Sequence, residues 1–185
     1  MTPFDIPTGT WQLDPAHSSV TFSVRHMMVS KVRGRFDSFS AEIVTADDAR
    51  QSSVTATVDM ASVDTHDAKR DDHLRTSDFF DIANHPTMTF RSTSIERGGD
   101  GVRVAGELTI RGVTRPVTFG VDVGGVASDP WGNTKAGFTA AASISRKDFG
   151  LEYNAALETG GVLIGDKVDI DLDIEVALVT EPAPA

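Results

Sequence analysis

Apolar and polar residues alternate along most of this chain, most clearly near its end. In DKVDIDLDIEVAL (166–178), six apolar residues from Val168 to Leu178 are separated by four acids and Ala177. Successive side chains of a β-strand point to opposite faces. This segment therefore predicts a strand with one apolar face and one acidic face.

The same period of two recurs through the chain, and turn sequences separate the alternating segments. RGGDG (97–101) and RGVTRP (111–116) carry the glycine and proline that hairpin connections favour, which indicates antiparallel neighbours. We expect one domain over residues 11–179, with flexible termini at 1–10 and 180–185. The predicted strands lie near residues 19–28, 32–45, 53–60, 87–95, 102–111, 115–124, 135–146 and 167–179.

These strands predict an all-β protein, an eight-stranded antiparallel up-and-down barrel of the lipocalin-like kind. A barrel of this size either fills its interior with side chains or encloses one small ligand. Several predicted inward positions are small, which suits a cavity but also lets larger neighbours interdigitate, so both alternatives stay open. These positions are Ala56, Gly106, Ala136, Ala140 and Ala142.

One segment breaks the alternation, SVDTHDAKRDDHLRTSDFF (62–80). Asp64 or Thr65 is a candidate N-cap, and an ion pair four residues apart between Asp71 and Arg75 would support a helix. We therefore predict a short helical insertion near residues 65–76. Because it has few apolar residues, we expect it to cap one end of the barrel, where Phe79 and Phe80 plug or line the opening.

The same segment concentrates acids and histidines, but their spacing is poor for a metal site, since helical ligand pairs normally stand three or four residues apart. The usual catalytic and nucleotide-binding motifs are missing from the sequence. We therefore predict no metal, no cofactor and no catalytic residue. An enzyme that uses Asp14, His17, His26 or the 66–73 cluster stays an alternative, as does a filled barrel that serves as an interaction module.

Composition and the N-terminal sequence bear on the partners, the chemistry and the location of the protein. The net charge of −10 argues against a nucleic-acid partner, and the lack of cysteine excludes disulfides and thiolate chemistry. The first eleven residues resemble no secretory signal, so we expect a cytoplasmic protein.

A local charge asymmetry contrasts with this acidity. Between Asp14 and Asp37 there is no acid, whereas four cations occur. One interpretation is a solvated outer face. The other is a basic hairpin at the barrel mouth, which contacts an anionic headgroup or transiently a membrane. The candidate contacts are Arg25, His26, Arg33 and Arg35, with Lys31 between them.

Four segments, in order, resemble the signatures of the YceI-like polyisoprenoid-binding family. They are DPAHSSVTFSVRHMMVSKVRGRF (14–36), SVDTHDAKRDDHLRTSDFFD (62–81), GELTIRGVTRPVTF (106–119) and DPWGNTKAGFTAAASISRKDFGL (129–151). The resemblance implies a lipocalin-like barrel with a long apolar cavity for polyprenyl chains, such as isoprenoid quinones, their precursors or polyprenyl pyrophosphates. It also implies a role in storage, shielding or transport, and it is compatible with a homodimer. Many relatives are periplasmic and carry a leader.

Strand phase then selects the residues expected to line the cavity. Phe149, Leu151 and Tyr153 alternate, which fits a short strand or a pocket edge, and they are placed near an opening with Phe79 and Phe80. The remaining predicted ligand-binding residues are Phe22, Val24, Phe36, Val58, Met60, Met88, Phe90, Leu108, Phe119 and Phe138.

Overall fold

The computed structural model describes residues 4–99 and 101–180, which form eleven β-strands and one short α-helix. The predicted class is confirmed: one antiparallel sheet closes into a barrel. The elements are β1 (Gly9–Leu13), β2 (Ser19–His26), β3 (Ser30–Phe36), β4 (Phe39–Thr45), β5 (Ser53–Asp59), β6 (Val63–Asp64), α1 (Ala68–Arg75), β7 (Thr87–Gly98), β8 (Gly101–Ile110), β9 (Val113–Ser128), β10 (Thr134–Ser145) and β11 (Ile164–Leu178).

The eleven segments form eight barrel strands, because the first three barrel strands are each interrupted once. β11 pairs with β2 along one half and with β1 along the other, so β1 and β2 are two parts of one strand. β3 pairs with β2 and β4 with β1, so β3 and β4 are two parts of the next strand. β5 pairs with β4 and β6 with β3, so β5 and β6 form the third. The interruptions lie at residues 14–18, 37–38 and 60–62.

Hydrogen bonds bridge these interruptions. Ser18 lies opposite Glu175 of β11, and its hydroxyl accepts a bond from the Glu175 N–H (2.9 Å). The Glu175 carbonyl accepts from the Asp14 N–H at 2.8 Å. The next two interruptions contact each other, since the Asp37 N–H donates to the Ser62 carbonyl (3.2 Å). The wall therefore stays hydrogen-bonded although its strands are broken.

The predicted strand over 32–45 is wrong in one respect, since it is divided at Asp37. Two short strands, β1 and β6, were not predicted, because five and two residues are too few to display a period. The expectation of a flexible terminus over residues 1–10 is contradicted for the described part, where Phe4 and Ile6 are 5% and 2% exposed. Residues 1–3 and 181–185 lie outside the described ranges.

The barrel has an upper and a lower end. The upper end holds β1, the β9–β10 loop and a buried cluster around Trp11, whose indole N–H donates to the Thr45 hydroxyl at 2.9 Å. The lower end holds the β2–β3 hairpin, α1 and a 3₁₀ turn at Arg146–Phe149. No helix within the described ranges is long and apolar enough to cross a membrane.

Helix α1 confirms the predicted insertion, but its start differs from the expectation. Asp67 is the N-cap, and its carboxylate accepts from the backbone N–H groups of Lys69 and Arg70, both at 3.1 Å. Asp64 and Thr65 therefore do not cap this helix.

The expected ion pair between Asp71 and Arg75 is also wrong. Asp71 turns inward and is 7% exposed; its Oδ1 accepts from the Thr65 N–H (2.9 Å) and the Thr65 hydroxyl (2.6 Å). Arg75 instead pairs with Asp72 at 3.1 Å. A buried carboxylate thus ties the helix to the strand that precedes it.

A second polar cluster joins the interrupted first strand to its neighbours. The Lys135 ammonium lies 2.6 Å from the Asp14 carboxylate and 3.2 Å from that of Glu175, and the His17 imidazole is 3.1 Å from Asp14. The hydrogen bonds from Lys135 and then from His17 lower the pKa of Asp14 from its ordinary 3.8 to about 2.

We expect Lys135→Met to destabilise the barrel in a pH-dependent way. The folded-state pKa of Asp14 lies below its unfolded value, so this stabilisation is present above about pH 4 and is lost as the pH falls through about 2. The urea midpoint of the variant should fall below wild type near neutral pH, and the two should converge in acid. Lys69→Met, on the exposed side of α1, removes the same charge as a control; a pH-independent difference would contradict the assignment.

We expect Asp71→Ala to cost about 1–3 kcal/mol of unfolding free energy, because it leaves the buried Thr65 donors without their acceptor. Asp71→Asn keeps a carbonyl oxygen and should lose less. Asp72→Ala, one residue along but exposed, provides the control. Denaturant titration gives the unfolding free energy of each variant. Equal losses for Asp71→Ala and Asp72→Ala would contradict a stabilising role for the hydrogen bonds between Asp71 and Thr65.

Candidate functional site

The barrel interior contains a cavity in two chambers that lie end to end. The upper chamber has a volume of about 190 Å³ and the lower chamber about 290 Å³. Val20, Met88 and Ile170 line both, so these three residues form a waist between them. The cavity follows the barrel axis from the Trp11 end to the helix end.

Alkyl and aromatic side chains make up nearly all of the upper chamber wall. Among the described residues no charged side chain lines it, and its polar lining side chains are hydroxyls, those of Ser40, Thr45, Ser52 and Thr89. Strands β4, β5 and β7 to β11 contribute most of the wall, together with the N-terminal segment. A polar ligand group placed here would find few hydrogen-bond partners.

Several inward side chains are only partly buried although they point away from solvent. Phe90, Phe138 and Leu172 line the upper chamber, yet each keeps an intermediate exposure. In a close-packed core such residues would lose nearly all their accessible surface. Their remaining surface faces the chamber, so the interior is incompletely filled.

The small inward residues predicted from the sequence have different roles. Ala56 and Ala140 line the upper chamber. The Phe90 ring lies against Gly106, where any side chain would overlap it. Ala136 is 2% exposed and belongs to the packed cluster at the upper end. Ala56 and Ala140 therefore enlarge the cavity, whereas Gly106 and Ala136 do not.

The lower chamber differs from the upper one in its charge. Within residues 4–99 and 101–180, three arginines and two histidines line it, and no carboxylate belongs to its wall. These residues converge from β2, α1 and the segment after β10. They are Arg25, His26, Arg70, His73 and Arg146.

Arg70 is oriented by the residue that precedes the helix. Its Nε donates to the Thr65 hydroxyl at 2.7 Å and its Nη2 to the Thr65 carbonyl at 2.8 Å. The Asp71 carboxylate holds the same Thr65 from the other side. The guanidinium is thus fixed at the chamber wall by a chain of hydrogen bonds.

Arg146 is 3% exposed and fixes the segment that follows β10. It donates to the carbonyls of Gly165 (2.9 Å), Leu151 (2.6 Å) and Tyr153 (2.9 Å), and Asp166 lies 3.8 Å away. Burial lowers the pKa of this guanidinium from its ordinary value. Sequence reasoning missed it, although it continues the inward phase of β10.

Aromatic rings close the lower chamber beside the helix. The His73 ring contacts Phe79 and Tyr153 edge-on, with centroids 5.0 and 4.8 Å apart, and its Nε2 lies 2.8 Å from the Asp78 carboxylate. The Phe80 ring is 6.1 Å from Phe36. Phe79 and Phe80 both line this chamber, and their place at an opening stays a prediction.

The structure places the predicted lining residues on the cavity wall, except Phe149. Phe149 is 1% exposed and packs in the core, because KDFGLEYN forms a 3₁₀ turn and an irregular segment and not a strand. The upper chamber takes Val58, Phe90, Leu108, Phe119 and Phe138, Met88 lies at the waist, and the lower chamber takes Phe22, Val24, Phe36, Met60, Phe79, Phe80, Leu151 and Tyr153.

The predicted basic contacts separate into two groups. Arg25 and His26 line the lower chamber. Arg33 and Arg35 lie on the outer face of β3, where Arg35 pairs with Asp37 (2.8 Å) and Asp64 (3.2 Å). Only the first group is therefore in position to meet a ligand in the cavity.

The groups of the alternative enzyme hypothesis are distributed over two places. Asp14, His17 and Glu175 converge at the interrupted first strand, where Lys135 already neutralises the carboxylates. Within 66–73, Asp67 caps the helix, Asp71 binds Thr65 and His73 pairs with Asp78.

Comparison with known proteins finds close relatives over nearly the whole chain. A UPF0312 protein of Staphylococcus epidermidis is 36% identical over 170 residues, 91% of this chain and 97% of its own. BcnA of Burkholderia cenocepacia has a similar structure, with a TM-score of 0.74 at 30% identity, covering 88% of this chain and 98% of its own.

A polyisoprenoid-binding domain from Saccharophagus degradans, implicated in plant cell wall breakdown, has a TM-score of 0.70 at 19% identity. It covers 91% of this chain and 98% of its own, and at this identity the likeness concerns the fold alone. The sequence model of the YceI-like domain matches residues 11–176. On this match, and on the barrel and cavity that accompany it, the chain belongs to the YceI-like family.

Proposed function

We propose that this protein binds one long-chain isoprenoid lipid inside its barrel, to store, shield or transport it. The observation that carries the proposal is the upper chamber, whose described lining carries no charge and where Phe90, Phe138 and Leu172 each keep accessible surface. A hydrocarbon tail is the ligand class that such a wall accepts without unpaired polar groups. The Saccharophagus degradans domain, which shares this fold, is polyisoprenoid-binding, so the fold is compatible with the same ligand class.

The expected binding free energy suits a protein that takes up a lipid and releases it again. Burying several hundred Å² of prenyl surface contributes roughly 10–20 kcal/mol gross at about 25 cal/mol/Å². Loss of translational freedom and ordering of a flexible tail remove much of this. A membrane offers the tail an equally apolar surrounding, so the net preference for the protein is modest. Release to a membrane or an enzyme then needs no large input of free energy.

The two chambers also suggest an orientation. The tail would occupy the upper chamber, and the head would lie in the lower chamber beside Arg70 and His26. Cations without a lining carboxylate favour an anionic head, such as a prenyl pyrophosphate, over a neutral one.

The filled-barrel alternative is disfavoured by the partly exposed inward side chains. The enzyme alternative has its best support in His26 and His73, which both line the lower chamber. Turnover of an added isoprenoid that is lost in His73→Ala would favour it. The predicted cytoplasmic location and the homodimer stay predictions.

Organic extraction of the purified protein, followed by mass spectrometry, tests the binding of a lipid directly. We expect a prenyl lipid at about one per chain. Ala140→Trp should abolish most of it, because the indole would occupy the upper chamber. Ala141→Trp is the matched control, since Ala141 is the next residue of β10 and lies on the exposed face.

Two results would contradict this expectation. A clean extract from wild-type protein that also fails to take up an added isoprenoid quinone or prenyl pyrophosphate would refute lipid binding. Equal lipid content in the Ala140 and Ala141 variants would show that the tail does not use the upper chamber.

Head recognition is tested with a pair of ligands that share one tail, a prenyl pyrophosphate and the corresponding alcohol. We expect Arg70→Met to weaken binding of the pyrophosphate about tenfold or more, as loss of a charge-assisted contact would, and to leave the alcohol nearly unchanged. Arg75→Met is the control, since Arg75 also holds α1 through backbone carbonyls but does not line the chamber. An equal loss for both ligands would place the head elsewhere.

A further inference from the structure

An exposed apolar projection stands at the lower end of the barrel. It consists of Met27, Met28 and Val29 in the β2–β3 hairpin, together with Val162 in the segment before β11, and we call it the apolar tip. Their exposed fractions are 45%, 66%, 81% and 40%. Four neighbouring apolar side chains left in water are a feature that ordinary folding does not require.

The backbone of this tip is strained. Met27 and Met28 have φ values of +50° and +62°, in the left-handed region, within the three-residue connection from β2 to β3. Glycine and asparagine adopt such φ values readily, whereas side chains such as methionine pay a steric cost. Folding stability alone would therefore not favour two methionines here, and a role outside the fold explains them better.

The tip is nevertheless held firmly. The Met27 N–H donates to the Leu163 carbonyl at 2.8 Å, and the Val29 N–H donates to the His26 carbonyl at 3.2 Å. Gly161 lies against the Met28 sulfur, since a Cβ on this glycine would stand 3.0 Å from it. The hairpin and the segment before β11 thus present their apolar residues together.

The tip is continuous with the lower chamber. His26, which precedes Met27, and Leu163, which follows Val162, both line that chamber. Whatever covers the tip therefore lies beside the chamber and not at a remote face.

The charges on the hairpin side of the tip are positive, whereas the segment before β11 carries the exposed Glu158. The hairpin stem carries Arg25, Lys31 and Arg33, and no acid occurs between Asp14 and Asp37. Asp169 offsets part of this charge, since it lies 3.3 Å from Lys31. An apolar point with cations behind it matches a phospholipid bilayer, where acyl chains lie beneath phosphate groups.

We propose that the apolar tip inserts into the headgroup region of a phospholipid bilayer and brings the lower chamber to the membrane surface. This rests on the proposed function, because it assigns the place where an isoprenoid is taken up or released. The net charge of −10 does not prevent this, since salt limits its reach to about 8 Å at physiological ionic strength. A second copy fits less well, because a two-fold contact through the tip would oppose the same cations.

The test is co-sedimentation with vesicles of phosphatidylglycerol and phosphatidylethanolamine. The variant Met27→Asn/Met28→Gly removes the apolar side chains and places residues that tolerate positive φ at both positions, so we expect it to fold at least as stably as wild type. Its partitioning onto vesicles should fall about tenfold or more, since partitioning follows the buried apolar surface. Trp131→Ser is the control, because Trp131 is 84% exposed but lies in the β9–β10 loop at the upper end.

Vesicle binding decides this proposal by itself. Wild-type protein that does not sediment, or a hairpin variant that binds as well as wild type, would overturn it. A wild-type dimer that the variant loses in size-exclusion chromatography, with no vesicle binding by either, would assign the tip to a second copy and also overturn it.

Lipid content in detergent separates the two proposals. The hairpin variant should keep the extracted isoprenoid of wild type, because neither methionine lines a chamber. Transfer of that isoprenoid from the variant to vesicles should be slower than from wild type. Absence of any isoprenoid in both proteins would refute the proposed function, while the vesicle measurement would still decide the role of the tip.

Discussion

Glu175 lies on β11 at the level where the first barrel strand is interrupted, and both sides of the interruption bind it. Its carbonyl accepts from the Asp14 N–H, its N–H donates to the Ser18 hydroxyl, and its carboxylate pairs with Lys135. A closed barrel needs hydrogen bonds all the way round, since an open edge would be unsatisfied. This one position carries closure across a break, and everything inside the barrel depends on that closure.

Within the closed wall, polarity changes along the axis. In the part of the chain that the structure describes, the upper chamber has no charged lining residue, whereas arginines and histidines line the lower one and exposed methionines lie next to it. An amphiphile is the molecule whose own polarity follows the same order. The waist at Met88 adds a flexible side chain at the boundary, which suits a tail that differs in shape from ligand to ligand.

The sequence predicts the long strands well, because alternation over ten or more residues has few other interpretations. The sequence also indicates where a strand is interrupted, through a change in the phase of the alternation. Inward residues are even-numbered in β3, as in Phe36, and odd-numbered in β4, as in Ile43, so the phase changes at Asp37. Arg146 similarly follows Ile144 in phase. From sequence alone, an arginine is expected to be exposed to solvent. Arg146 is buried because backbone carbonyls accept its hydrogen bonds, and these become visible only in the fold.

Other features could not be predicted from local pattern. Asp71 looks like a solvated helix residue, and only the fold brings Thr65 onto it. Phe149 alternates with Leu151 in sequence, but the 3₁₀ turn rotates it into the core. The strain at Met27 is a property of backbone angles, which composition does not reveal.

The interruptions also make the barrel mechanically uneven. Strands β7 to β11 run unbroken for ten to sixteen residues, whereas the first three barrel strands are each jointed at one common level. One side of the wall is therefore built from continuous strands, and the other consists of two short parts joined across the interruptions by a few hydrogen bonds. A bulky cargo would widen the molecule on the jointed side, while the side of continuous strands keeps its shape.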